Sequence, residues 1–179
     1  MTVAQRPEIW RRHLQHQYIS HRRGTIYPLD SSPATGCSIT HDPHSNAVAF
    51  SQIVQFPSSC NKFAIKRGPD NRYYSLTNPV TKAPIANYGN HGCLQRNNVV
   101  LTVSDDLVHW HSCATVLYDD TGLALNDSFI YTGLQYIDWS FDGKDMVAAV
   151  RAGYRGSVSA HDANRLLIAN VSGYQQRCQ

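Results

Sequence analysis

Short segments in which apolar and polar residues alternate run from residue 47 to residue 171, with turn residues between them. Val48, Phe50, Val54 and Phe56 form the first series. Residues two apart in a strand share a face, so this period predicts half-buried β-strands. Gly, Pro, Asn and Asp between the segments predict turns. An all-β fold follows from this pattern.

The acidic residues support strands over helices. Glu8 is the only glutamate among the 13 acidic residues, and the others are aspartates. Glutamate favours helices, whereas aspartate favours turns. A mechanism that needs a glutamate has only Glu8 to use.

Seven strands are predicted in the later part of the chain. They fall near residues 62–66, 72–77, 98–103, 109–118, 135–141, 145–151 and 164–171. The first four read as one antiparallel group and the last three as a second group. Tight turns around Pro69, Asp106 and Gly143 alternate with long loops over 78–95, 119–134 and 152–163.

Tracing the chain up and down places the three tight turns on one edge of the sheets and the three long loops on the other. Polar loops on one rim of a rigid sheet predict one functional face. The residues on that edge include Asn87, Tyr88, Asn90, His91, Arg96, Asn97, Asn126, Asp127, Tyr136, Arg151, Tyr154, His161, Asp162 and Asn164.

Repeated groups of four up-and-down strands are typical of β-propeller blades. The fold class expected is therefore all-β, with antiparallel four-stranded blades of an incomplete propeller of about three to four blades. Residues 1–46 are predicted to be an irregular N-terminal segment and residues 47–179 to hold the blades. An antiparallel sandwich would show similar alternation, so it stays an alternative.

Four segments carry a family resemblance: Arg96-Asn97, the S-x-D-L-V-x-W stretch from Ser104 to Trp110, the stretch 134–143, and the stretch 160–164. With the hairpin at 62–78 they resemble the C-terminal part of exo-α-sialidase-like propeller glycoside hydrolases. The resemblance covers roughly residues 47–174. The S-x-D-L-V-x-W stretch is similar to an aspartate box, although it lacks the glycine and is one residue shorter. Its chemistry predicts a structural turn in which Asp106 accepts backbone N–H bonds and Trp110 packs between sheets.

The resemblance implies a sugar site built from planar hydrogen-bonding groups and aromatic rings. Tyr136 is the nucleophile candidate and Asp138 the acid/base candidate. The substrate-binding candidates are Arg96, Asn97, Arg151, His161, Asp162 and Asn164. Arginine suits this role because its guanidinium binds a carboxylate such as that of sialic acid with two hydrogen bonds. The pair His161-Asp162 is also a candidate for bracing its loop.

Three functions follow from these observations. The first is a fragment of a sialidase-like hydrolase, inactive alone because a propeller active site draws on every blade. The second is a non-catalytic glycan-binding or scaffolding module, and the third is an unrelated β-sandwich binding protein with a basic N-terminal segment. A glycan or sialoside-like carbohydrate is the expected partner, with self-association through open blade edges. Nucleic acid is disfavoured, and the chain shows neither an apolar membrane-spanning stretch nor an N-terminal signal peptide. Secretion is implied only by the resemblance.

The cysteines and histidines predict no metal site and no cofactor. The five cysteines are widely spaced without a C-x-x-C pair, and the His41/His44 and His109/His111 pairs lack companion ligands. An odd count leaves at least one free thiol, and buried structural thiols are the expectation.

Overall fold

A computed structural model of the chain describes residues 25–28, 35–41, 48–59, 61–80 and 95–179. Within these residues the chain forms ten strands, one α-helix and a short 3-10 helix. The strands are β1 (Thr25–Pro28), β2 (Thr35–His41), β3 (Val48–Gln55), β4 (Ile65–Arg67), β5 (Tyr73–Thr77), β6 (Asn98–Ser104), β7 (Trp110–Tyr118), β8 (Gly133–Asp142), β9 (Asp145–Gly153) and β10 (Arg165–Val171). The helix α1 spans Leu125–Tyr131, and the 3-10 helix spans Gln176–Cys178.

The strands form three antiparallel sheets in chain order. The first sheet has the order β1-β2-β3, the second β4-β5-β6-β7 and the third β10-β9-β8. The all-β prediction is confirmed. The first 46 residues differ from the prediction, because β1 and β2 lie within them and β2 pairs with β3 across the expected boundary.

The seven predicted strands match β4 to β10 closely. The helix α1 was not predicted and lies inside the expected loop 119–134. Its seven residues bury only Ser128, so it lacks the apolar stripe that would have revealed a helix in the sequence. Residues 81–94 of the first long loop, with Asn87, Tyr88, Asn90 and His91, lie outside the described residues.

The main core lies between the second and third sheets. Alternate residues of the central strands point into it, because successive side chains of a strand face opposite sides. The buried side chains are Tyr74, Leu76, Val99, Leu101, Val103, Leu134, Ile137, Trp139, Met146, Ala148, Val150, Ala152, Val171 and Tyr174. The Tyr74 and Tyr174 rings meet edge to face, with centroids 4.9 Å apart. Aromatic pairs prefer this geometry.

A second core lies on the opposite face of the second sheet. Val54 and Phe56, at the end of the first sheet, pack there with Tyr73 and Leu107. The ring of Trp110 meets Phe56 edge to face at 4.9 Å. Val54 and Phe56 are therefore the described contact between the end of the first sheet and the second sheet.

The turn between β6 and β7 confirms the structural interpretation of the S-x-D-L-V-x-W stretch. One carboxylate oxygen of Asp106 accepts the N–H groups of Val108 and His109, each at 2.8 Å. The other oxygen lies 2.7 Å from Nδ1 of His109. Burial alone would raise the pKa of Asp106, but the bonds from the His109 side chain and the two N–H groups outweigh it and lower that pKa.

A disulfide joins Cys113 in β7 to Cys178 in the 3-10 helix, 65 residues later. The expectation of buried free thiols is wrong for these two cysteines. Sequence spacing cannot pair cysteines, since pairing depends on which strands become neighbours. The disulfide attaches the end of the third sheet to the outer strand of the second.

The described ends of the long loops meet along one edge of the second and third sheets. The N–H of Leu134, at the start of β8, donates to the carbonyl of Arg96 before β6 at 2.7 Å. The side chain of Asn78, after β5, donates to the carbonyl of Leu134 at 2.8 Å. The loop ends of the two sheets are thus hydrogen-bonded to each other. Among the described residues, no helix has the length and apolar character needed to cross a bilayer.

Candidate functional site

Tyr136 stands at an irregular point of β8. The pairing of β8 with β9 shifts between Gln135 and Asp138, which is a β-bulge. Tyr136 has a φ of +52°, a conformation that is unfavourable for a residue with a Cβ. Its side chain is 37% exposed although it belongs to a strand with buried neighbours. Bulges and strained residues of this kind cluster at functional sites.

Two cations lie close to the Tyr136 ring. The guanidinium carbon of Arg151, in β9, is 5.2 Å from the ring centroid, and Nζ of Lys62, before β4, is 5.4 Å from it. Both are within cation–π range. Arg151 was predicted as a binding residue, whereas Lys62 was not. No sequence signal links Lys62 to Tyr136, because the two are brought together by packing between two sheets.

A histidine and an aspartate extend this group. The Tyr136 hydroxyl lies 3.4 Å from Nε2 of His161, and Nδ1 of His161 lies 3.7 Å from a carboxylate oxygen of Asp162. The Tyr136 hydroxyl can therefore pass a proton to the imidazole of His161, whereas the Asp162 carboxylate, at 3.7 Å, lies beyond hydrogen-bond distance of the ring. Tyr136, Arg151, His161 and Asp162, predicted to share one edge of the sheets, therefore lie close together.

Buried polar side chains beneath the site hold the loop that carries His161. A guanidinium nitrogen of Arg96 donates to the side-chain oxygen of Gln135. The amide nitrogen of Gln135 donates to the carbonyls of Ala160 and His161, at 3.0 and 2.7 Å. Arg151 adds a longer bond of 3.3 Å to the carbonyl of His161. Gln135 was not singled out in the sequence, although it is fully buried.

Two glycines allow this loop to approach the sheet. A Cβ on Gly133 would lie 1.8 Å from the carbonyl oxygen of Ala160. The paired residue Gly153 faces the same loop, and a Cβ there would lie 3.0 Å from the carbonyl oxygen of Ser159. The loop can therefore lie directly over the start of β8 only because position 133 lacks a side chain.

The remaining predicted site residues have other partners. Arg96 and Asn97 are buried, and the amide of Asn97 donates to the Ser128 hydroxyl of α1 at 2.8 Å. Asn164 braces the loop by accepting the N–H of Tyr154 at 3.0 Å and donating to its carbonyl at 2.7 Å. These residues support the site from below or beside it.

Asp138 does not stand free beside Tyr136. Its carboxylate lies 3.1 Å from Nζ of Lys66 and accepts the N–H of Trp139 at 2.8 Å. Lys66 also donates to the carbonyl of Trp139. The carboxylate is therefore paired with Lys66 at the contact between β4 and β8, the edge strands of neighbouring sheets, and the side chain of Asp138 remains 73% exposed.

A second cluster consists of the Tyr154 ring and the charged side chains around it. Its hydroxyl donates to Asp120, and this bond raises the pKa of Tyr154. The guanidinium groups of Arg165 and Arg155 lie 4.9 and 5.4 Å from its ring centroid. The Tyr154 ring is thus flanked by side chains of its own chain, and it contributes less open surface than Tyr136.

No three histidine, cysteine, aspartate or glutamate side chains converge as metal ligands in the part of the chain that the structure describes. The sequence matches no family model, and comparison with curated proteins and with solved structures finds no match either. The function is therefore argued from the site itself.

Proposed function

We propose that this chain is part of a sialidase-like β-propeller and binds a sugar that carries a carboxylate at the Tyr136 site. The observation that carries this proposal is that Lys62 and Arg151 both lie within cation–π distance of the Tyr136 ring on the long-loop edge. A carboxylate is attracted by both cations, and a guanidinium can bind it with two hydrogen bonds. The exposed part of the Tyr136 side chain can contact the sugar beside this carboxylate.

The arrangement of the sheets supports the propeller. The chain forms three antiparallel sheets in chain order, the second packs on the third, and β4 and β8 are neighbouring edge strands of these two sheets. Propeller blades pack in this way around a channel, with ligands at one end of it. Lys62 precedes β4, and Tyr136 lies near the start of β8, so both would face such a channel at its long-loop end.

We expect this chain to bind the sugar without hydrolysing it. Glycoside hydrolysis needs two groups that flank the scissile bond, one of them an acid that protonates the leaving group. Tyr136 with His161 can supply a nucleophile and its base. Asp138, the acid candidate, is held by Lys66 and the N–H of Trp139. The active site of a propeller enzyme also contains residues from every blade, including blades other than these three sheets.

The test is a titration of the full chain with N-acetylneuraminic acid and with its methyl ester, followed by calorimetry or ligand-observed NMR. The acid should bind and the ester should bind at least about tenfold more weakly, a loss of about 1.4 kcal/mol. Arg151→Gln and Lys62→Gln should weaken the acid to a similar degree. Lys144→Gln, in the exposed turn between β8 and β9, is the matched control and should leave binding unchanged.

Equal binding of acid and ester would contradict carboxylate recognition. Hydrolysis of a fluorogenic sialoside by the full chain, lost in Tyr136→Phe, would show that the chain is catalytic by itself and would overturn the non-hydrolytic part of the proposal.

A further inference from the structure

The outer edge of β10 is unpaired within the described residues. The third sheet ends at β10, which pairs with β9 on one side only, whereas the second sheet continues to a fourth strand. The N–H and C=O groups on such an edge are a template for another strand.

β10 lacks the features that usually protect an edge strand. It has neither proline nor glycine, its register with β9 is regular, and Arg165 at its start is its only charged residue. Leu166 and Ile168 are 70% and 68% exposed and lie on the same face of the strand. A regular apolar edge of this kind is prone to pairing.

The other edge strands of the second and third sheets, β4, β7 and β8, make side-chain contacts outside their own sheets. β7 has two irregularities in its pairing with β6, and Cys113 in this strand is tied to the 3-10 helix by the disulfide. β4 lies against β8, where the indole nitrogen of Trp139 donates to the carbonyl of Ala64 at 3.2 Å. Compared with these strands, β10 is the edge strand best suited to pair with another strand.

We propose that β10 pairs antiparallel with β10 of a second copy of this chain, about a twofold axis at Leu167. In this register Leu166 faces Ile168 of the second copy, and Ile168 faces Leu166 of the second copy. Cross-strand aliphatic pairs stabilise a sheet, and the four exposed side chains would then cover one another. The pairing would join two three-stranded sheets into one continuous sheet of six strands.

Charge does not oppose this register. Arg165 faces Ala169 of the second copy, so the two Arg165 residues are four positions apart along the strands. At about 3.3 Å per residue the separation is about 13 Å, longer than the Debye length at physiological salt. The strand is thus self-complementary in both shape and charge.

The first experiment is sedimentation or light scattering of the full chain over a wide concentration range. We expect a concentration-dependent dimer of twice the 20.0 kDa chain mass. Ile168→Lys and Leu166→Lys place cations against an apolar partner and should raise the dissociation constant at least about tenfold. Val158→Lys, at a residue 81% exposed in the loop between β9 and β10, is the matched control and should leave it unchanged.

A cysteine placed on the axis tests the register independently of the lysine variants. In Leu167→Cys the two thiols face each other and should form an interchain disulfide above the level of the unmodified chain. Ala169→Cys should not, because its partner position is Arg165.

A full chain that stays monomeric at every concentration would overturn the proposal, including the case in which another segment of the same chain covers the edge. A dimer that survives Ile168→Lys, or that cross-links through Ala169→Cys instead of Leu167→Cys, would also overturn it.

Discussion

The buried guanidinium of Arg96 donates a hydrogen bond to the side-chain oxygen of Gln135. The two residues are 39 positions apart in the chain. Gln135 in turn binds the carbonyls of Ala160 and His161. The position of His161 beside Tyr136 is therefore set from below, by side chains that solvent does not reach. A ligand at the surface would depend on this layer without touching it.

Replacing Gln135 by methionine should destabilise the protein and loosen the site. Methionine fills a similar volume but cannot bind Arg96 or the two carbonyls. We expect the free energy of unfolding to fall by about 2–4 kcal/mol, because buried polar groups lose their partners. Denaturant unfolding measures this loss, and sugar affinity should fall with it. Gln55 is exposed, and the control variant Gln55→Met should change the free energy of unfolding by less than about 0.5 kcal/mol. Equal losses of stability in the two variants would contradict the role of Gln135.

Replacing Tyr136 by glycine should abolish sugar binding without lowering the free energy of unfolding. A residue with a Cβ loses about 1–2 kcal/mol in a left-handed conformation, whereas glycine loses about 0.5–1 kcal/mol more chain entropy on folding. Tyr136→Gly should therefore keep the free energy of unfolding or raise it by up to about 1 kcal/mol, while abolishing sugar binding. Asn71→Gly, at φ +67° in an exposed turn, is the control and should retain binding. A strongly destabilised Tyr136→Gly would show that the ring supports the fold instead.

Replacing Asp106 by asparagine should give a loss of stability that depends on pH. The pKa of Asp106 is lower in the folded protein than its unfolded value of about 3.9. The contribution of the carboxylate is therefore fully present above about pH 4 and is lost as the pH falls through the lower folded pKa. We expect Asp106→Asn to lower the free energy of unfolding by about 1 kcal/mol at pH 7. The gap from the unmodified protein should narrow below pH 4 in urea unfolding.

The neighbouring exposed residue supplies the control for this measurement. Asp105→Asn should leave the free energy of unfolding at pH 7 nearly unchanged. A constant gap for Asp106→Asn from pH 7 to pH 3 would contradict the lowered pKa.

Breaking the disulfide should destabilise the packing of the third sheet on the second. Cys113→Ser and Cys178→Ser should each lower the free energy of unfolding by about 2–4 kcal/mol, since the cross-link closes a long segment of chain. The double variant should lose no more than either single one. Urea unfolding with and without a reductant checks this, because only the unmodified chain should respond to the reductant. An additive loss in the double variant would mean that the thiols act separately.

Local structure could be predicted from the order of the amino acids. Alternation in stretches such as 98–103 predicts strands because a strand places every second side chain in the core. The turn chemistry of Asp106 was also readable, since its hydrogen-bond partners lie within three residues of it. Tracing antiparallel strands placed Tyr136, Arg151, His161 and Asp162 on one edge.

Contacts between residues that are distant in the chain depend on tertiary packing and could not be predicted. Lys62 reaches Tyr136 from another sheet, Cys113 pairs with Cys178, and Arg96 turns inward to Gln135. None of these contacts leaves a period or a spacing in the sequence, because each arises where two sheets pack together. Local patterns report the face on which a side chain lies, whereas the packing of the sheets selects its partner.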